Sequence, residues 1–219
     1  NAGQLCVSVE RLYVPNHALA AFETVLKRRI ESMTVGSSDS YSHDVGSLTS
    51  KAQVERVSGF VDRAVAEGAT VLTGGKRLEN LGPNFYAPTV LTAIPKTAEI
   101  LTKEVFGPVI ALVGYDSLDE AVELANATEF GLNASVVGER SKALEVASRL
   151  MAGSVNINEG YRASMASMAA PMGGMKQSGM GRRSGPQGLL RFTEQRTIGV
   201  ANKLPIGLPI RAKDYQKMA

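Results

Sequence analysis

Val109-Ile110-Ala111-Leu112-Val113, followed by Ser117-Leu118-Asp119-Glu120, then Ala134 to Val137 and Ser154 to Ile157, is the stretch that decides the fold of this 219-residue chain. Five apolar residues in a row, three of them β-branched, read as a strand buried on both faces. Ser117 with Glu120 forms a capping box that opens a helix ending near Asn126. A strand over Ala134–Val137 follows, then a helix capped by Ser141 and running to Leu150, then a strand over Ser154–Ile157. Strands separated by helices of this length need crossover connections, so the expected class is α/β: a parallel-type twisted sheet with helices on both faces.

The same alternation extends toward the N-terminus. Leu12-Tyr13-Val14 reads as a short strand, and Leu19, Phe22, Leu26, Ile30 and Met33 then fall on one helical face. A serine-rich loop spans residues 36–50. A second helix is expected from about Ala52 to Ala66, with Val54, Val57, Val61 and Val65 aligned and Gly68 at its end. Thr70-Val71-Leu72 reads as a strand, as does Tyr86 to Ile94, which Pro88 places at an edge. Residues 160–188, rich in Gly, Met, Ala and Ser, read as a long loop system. Arg191 to Val200 turns strand-like again. The expected organisation is one domain over residues 1–190, an arm strand over 191–203 and a loosely held tail over 204–219. Because the chain starts with Asn rather than Met, it is expected to be a piece of a longer protein.

Composition narrows the functional classes. A net charge of +3 with interleaved signs lacks the basic stripe of a nucleic-acid surface. No apolar run approaches the roughly 18 residues of a membrane span, and no signal peptide opens the chain. One unpaired cysteine fits a reducing compartment, so a cytoplasmic location is expected. His17 and His43 lack ligand spacing to each other, to the cysteine or to an acidic cluster, so no metal site is expected. The run Gly179-Met180-Gly181-Arg182-Arg183-Ser184-Gly185 is not a dinucleotide fingerprint: its third glycine comes one residue late and no apolar strand feeds it. Arg182 and Arg183 either hold an anion or face solvent.

Cys6, in Asn1-Ala2-Gly3-Gln4-Leu5-Cys6, cannot form an internal disulfide, so its thiol is a small buried hydrophobe or a nucleophile. A thiolate that adds to an aldehyde carbonyl creates a tetrahedral centre and, after oxidation, a thioester that water can open. Gly3 permits a tight turn on the approach to it.

The run ending at Cys6, taken with Glu104-Val105-Phe106-Gly107-Pro108-Val109, resembles the aldehyde dehydrogenase superfamily. Three more segments agree in order: Glu129-Phe130-Gly131-Leu132-Asn133-Ala134, Gly153-Ser154-Val155-Asn156-Ile157-Asn158, and Gly173-Gly174-Met175-Lys176-Gln177-Ser178-Gly179. Asn158-Glu159-Gly160 with Met175-Lys176-Gln177-Ser178-Gly179 looks most like succinate-semialdehyde dehydrogenases. The resemblance covers the C-terminal, catalytic half of such enzymes. The cofactor-binding domain, the water-activating glutamate and the oxyanion-hole asparagine would precede Asn1.

The resemblance implies that Cys6 is the nucleophile, its backbone N–H an oxyanion donor, and NAD or NADP the cofactor. It implies that Glu104 accepts hydrogen bonds from the nicotinamide ribose and that Phe106 lies against that ribose and ring; read without it, these are a surface glutamate and a core phenylalanine. Gln53 and Arg56 either reach the adenine-side ribose or lie on a helix surface. The loop from Tyr161 to Met172 is expected to line the aldehyde tunnel, with Ser164 or Ser167 helping to bind a substrate carboxylate and Met172 standing where relatives often carry phenylalanine. Arg191 to Val200 resembles the arm strand that extends a neighbour's sheet, so a homodimer or homotetramer is expected of the parent enzyme. The implied reaction is oxidation of succinate semialdehyde to succinate, with this half inactive alone. The alternatives are another semialdehyde or aldehyde as substrate, or a non-enzymatic scaffold whose cysteine is buried and inert.

Overall fold

Val109–Tyr115 is a strand inside a four-stranded sheet in a computed structural model that describes residues 1–200. Along the chain come β1 (Arg11–Pro15), α1 (Asn16–Glu31), α2 (Lys51–Ala66), β2 (Thr70–Thr73), β3 (Thr89–Thr92) and β4 (Val109–Tyr115). After these come α3 (Leu118–Asn126), β5 (Phe130–Gly131), β6 (Asn133–Val136), α4 (Arg140–Arg149), β7 (Ser154–Ile157), α5 (Arg162–Ala166), β8 (Met175–Lys176) and α6 (Gly185–Leu190).

The larger sheet has the order β1-β4-β3-β2. Leu12 lies opposite Leu112 and Val90 opposite Ile110, both in parallel register. The class is α/β with helices on both faces, but the sheet is mixed, because β2 pairs with β3 antiparallel and slips register between Val71 and Thr73. The strand expected over Tyr86–Ile94 shortens to Thr89–Thr92 and is interior rather than an edge. Pro88 precedes the strand, so it removes no ladder hydrogen bond.

Alternate residues of the central strands face opposite helices. Leu91, Val109, Ala111 and Val113 pack in one cluster with Val54, Val57, Phe60, Val61 and Ala64 of α2. Val90 and Leu112 pack on the other face with Leu19, Leu26 and Ile30 of α1. Each large side chain buried in this way contributes about 1.5–3 kcal/mol, which is why the sheet sits between the two helices.

The second half is thinner. Among the described residues β6 pairs only with β7, in parallel, and β5 pairs with β8. Three of the motif segments meet here. Gly153 lies against Gly173 so closely that a Cβ would sit 1.6 Å from the Gly173 carbonyl oxygen. Lys176 Nζ donates to the carbonyls of Asn126 and Thr128 at 2.7 and 2.8 Å. The Gly131 N–H donates to Ser178 Oγ at 2.9 Å.

Helix capping departs from expectation at α4. Glu139, not Ser141, is the cap: its carboxylate accepts the N–H groups of Ser141 and Lys142 at 2.9 and 3.2 Å. At α3, Ser117 caps as expected, and Glu120 returns to the N–H of Asp116.

The loop system over residues 160–188 contains α5, β8, the start of α6 and a bridge between Met172 and Arg183. The strand expected over Arg191–Val200 does not form. Residues 191–193 continue the last turn, and residues 194–200 have no ladder partner. A strand exists only through pairing, and among the described residues this segment is laid on none of the sheet edges. The last residues of the expected arm (201–203) and the expected tail (204–219) lie outside the described residues. Among the described residues, no helix is long and apolar enough to cross a membrane.

Candidate active site

The turn that carries Cys6 is built by backbone conformation and one buried amide. Ala2 and Gly3 have φ values of 50° and 70°. Gln4 is buried: its Nε2 donates to the Asn1 and Ser47 carbonyls, and its Oε1 accepts the Thr49 N–H at 2.9 Å. Gly3 packs directly on the next motif, since a Cβ there would lie 2.0 Å from the Gly107 carbonyl oxygen. Close backbone approach therefore brings Asn1–Cys6 against Glu104–Pro108 across a hundred residues of sequence.

The thiol of Cys6 is exposed, which excludes its reading as a sealed packing group. It borders a cavity of about 1000 Å³ that Glu104 also borders. The walls of that cavity include the unpaired edges of β1 and β6, with α3 and α4 beneath. Glu159 and Gly160, just after β7, reach it as well.

Glu104 is half-buried, and among the described residues none donates a hydrogen bond to its carboxylate. Partial burial, reinforced by the negative charge of Glu10, raises its pKa; Arg56 and Arg11 oppose the shift. Glu104 is thus a carboxylate with free acceptor sites facing an apolar-lined space. Phe106 shares its loop and is half-buried, but it does not border the cavity. Its φ of 58° is unusual for a residue with a bulky side chain.

Gln53 and Arg56 belong to this site in a different way from either expectation. Gln53 Nε2 donates to the Phe106 carbonyl at 2.8 Å and Arg56 Nη2 to the Glu104 carbonyl at 2.6 Å. Both side chains hold the loop's backbone. Glu10, which sequence reasoning missed, holds it from the other side. An acidic residue beside Arg11 at a strand start looks solvated on sequence alone, and no local signal marks it.

The expected tunnel loop stands apart from this cavity. None of Ser164, Ser167 and Met172 borders the cavity. α5 packs on β7, so the Ser164 hydroxyl donates to Asn156 Oδ1 at 2.7 Å and its N–H to the same atom at 3.0 Å. Ser167 ends α5 and is exposed. Met172 pairs with Arg183, whose guanidinium lies 3.1 Å from the Met172 sulfur. Arg182 donates to the carbonyls of Gly174 and Gly181, as a brace of its own loop. Among the described residues no group of three or more His, Cys, Asp or Glu could hold a metal ion.

Known proteins agree with this geometry. A protein of Mycobacterium tuberculosis (strain ATCC 25618 / H37Rv) named "Putative succinate-semialdehyde dehydrogenase [NADP(+)] 2" is 46% identical over 214 residues, covering 95% of this chain and 41% of that protein. A Mycolicibacterium smegmatis protein of similar name is 44% identical over 211 residues, covering 96% of this chain and 41% of its own length. The chain therefore spans about two fifths of these curated relatives. The crystal structure of betaine aldehyde dehydrogenase from Staphylococcus aureus in complex with NAD+ superposes with a TM-score of 0.82 at 35% identity, over 87% of this chain and 38% of that one. The aldehyde dehydrogenase family model matches residues 1–198. Matched by the family model over nearly all of its described residues and by relatives at 44–46% identity, the chain belongs to the aldehyde dehydrogenase family.

Proposed function

We propose that this chain is the thiol-bearing half of an NAD(P)-dependent dehydrogenase that oxidises succinate semialdehyde to succinate. The observation that carries the reading is the seating of Gly3 on Gly107, which presents Cys6 and Glu104 to one cavity. The sulfur of Cys6 adds to the aldehyde carbon, forming a C–S bond and placing negative charge on the former carbonyl oxygen. Among the described residues nothing accepts the Cys6 N–H, which leaves it available as a donor to that oxygen; one such donor lowers a barrier by about 3 kcal/mol. NAD or NADP, when bound, supplies the hydride acceptor that turns the adduct on Cys6 into a thioester. Hydrolysis then breaks the C–S bond, releases the carboxylate and restores the thiol. The unpartnered carboxylate of Glu104 fits a ribose diol, because an ionised carboxylate accepts several hydrogen bonds. Phe106, on the same loop although off the cavity wall, would meet the ribose and ring only on its other side.

The substrate assignment rests on the names of the mycobacterial relatives. A neutral or cationic aldehyde is the second reading. The Ser164 hydroxyl is already engaged by Asn156, and the structural neighbour acts on betaine aldehyde by name. The exposed segment over Arg191–Val200, strand-like in composition and unpaired among the described residues, supports association into a homodimer or homotetramer.

In the full-length enzyme, Cys6→Ala is expected to abolish NAD(P)-dependent aldehyde oxidation while leaving the thermal midpoint unchanged. Turnover at the parent rate refutes the nucleophile. A panel of succinate semialdehyde, betaine aldehyde and propanal decides between the substrate readings, since a site built for a carboxylate rejects substrates lacking it by large factors.

A further inference from the structure

The loop that carries Glu104 and Phe106 is fixed at successive backbone groups by side chains from outside it. Arg11 Nη1 donates to the Lys103 carbonyl at 3.3 Å, Arg56 to the Glu104 carbonyl, and Gln53 to the Val105 and Phe106 carbonyls at 3.4 and 2.8 Å. All these contacts are to carbonyl oxygens. The N–H groups are served by one residue. Glu10 Oε1 accepts from Val105 N–H at 3.1 Å and Phe106 N–H at 2.9 Å, and Oε2 accepts from Val105 N–H at 3.2 Å. The Glu10 side chain is only 11% exposed and is flanked by Arg11 at 3.7 Å.

We infer that Glu10 is a positioning residue of the cofactor grip, whose carboxylate holds the Val105 and Phe106 N–H groups and so sets the turn from which Glu104 and Phe106 project. The inference rests on the assignment of Glu104 to the cofactor ribose. Phe106 has φ +58°, a conformation a non-glycine residue keeps only when its surroundings over-determine it. Paired N–H groups held by a buried carboxylate, opposite an amide holding the carbonyls, provide that. A neutral acceptor at position 10 would serve the same N–H groups more weakly, because hydrogen bonds to an ionised group are roughly twice as strong.

Glu10 also acts on Glu104 through its charge. The charged groups that shift Glu104 are Glu10, Arg56 and Arg11; neighbouring Lys103 is held by Glu129 at 2.6 Å. Glu10 disfavours the ionised form of Glu104, the form that accepts ribose hydroxyls. Removing the Glu10 charge therefore has two effects of opposite sign: the loop loosens, and Glu104 ionises at lower pH.

The test uses the full-length enzyme with Glu10→Gln, and Glu104→Gln in parallel. Three readouts are taken: cofactor affinity across pH, kcat at saturating cofactor, and amide exchange at Val105 and Phe106 without cofactor. For Glu10→Gln we expect cofactor binding about tenfold weaker, the loss of a charge-assisted hydrogen bond. We also expect faster exchange at both amides, and an acid limb of binding displaced to lower pH, which a purely structural residue would not move. Unchanged cofactor affinity in Glu10→Gln, with weakened affinity in Glu104→Gln, overturns the role of Glu10. Unchanged affinity in Glu104→Gln overturns the ribose assignment instead. Faster amide exchange with an unmoved acid limb reduces Glu10 to a structural residue and also overturns the inference.

Discussion

The β1–β4 half and the β6–β7 half solve the same packing problem to different degrees. In the first, α1 and α2 cover both faces of a four-stranded sheet, and Val54, Val57, Val90 and Leu91 are fully buried. In the second, two paired strands carry α3, α4 and short helices, and Val137, Met168, Met180 and Phe192 stand more than 80% exposed. The chemistry follows the well-packed half. Cys6 and Glu104, with their supports Gln4, Glu10, Gln53 and Arg56, all come from residues 1–108. The roles proposed for Cys6 and Glu104 demand placement within a fraction of an ångström, which side chains anchored in a core provide. The second half contributes a flank of the cavity and exposed apolar surface.

The largest break in this contrast is expected at Gly3, the point where the two site loops touch. Gly3→Ala forces a Cβ to within 2.0 Å of the Gly107 carbonyl and imposes a side chain at φ +70°. Backbone on both sides leaves no flexible group to yield. The full-length variant should lose aldehyde oxidation by at least about a hundredfold, because small displacements of a reacting pair cost that much. Activity within a few-fold of the parent would mean the two loops are not registered through this contact.

Core deletions compare the halves next. Leu91→Ala, at a fully buried position in β3, should destabilise by about 2–5 kcal/mol. Val137→Ala, 83% exposed beyond β6, should stay within about 0.5 kcal/mol. Chemical denaturation of both variants checks the difference. Ser164→Ala falls between them. It leaves buried Asn156 without one donor, for about 1 kcal/mol. On this geometry its effect is on stability, and a selective rise in KM for succinate semialdehyde would restore Ser164 to the substrate site.

Legibility in the sequence follows the range of the interactions involved. β4, α3, β7 and the burial face of α2 were readable because periodicity and Ser117 act within a few residues. The start of α4 was misread because two residues separated by a single position, Glu139 and Ser141, both suit a cap, and only the backbone angle at Glu139 decides. The meeting of Cys6 with Glu104 was visible through motif order alone, since nothing local links residues 98 positions apart. Glu10 was illegible as a site residue, and the bracing role of Gln53 was equally hidden, because each acts by holding the backbone of a distant loop. Arg191–Val200 has strand composition, but a strand needs a paired edge, and among the described residues the segment meets none.

The gentlest probe of the contrast is acid. Glu139 is fully exposed, yet the Ser141 hydroxyl and the N–H groups of Ser141 and Lys142 hold its pKa down to about 2. A carboxylate whose folded pKa lies below its unfolded value stabilises the folded state above the unfolded pKa, and that contribution is lost as pH falls through the folded one. The α4 cap should therefore weaken between the ordinary glutamate range and about pH 2, while the neutral packing of α2 on β3 and β4 does not titrate. Amide exchange at Ser141 and Lys142 should quicken over that window before exchange at Val57 or Leu91 changes, and Glu139→Gln should show the quickened rate already at neutral pH. Simultaneous loss of protection at all four amides would show that the two halves open as one unit, and the division drawn from their packing would not hold.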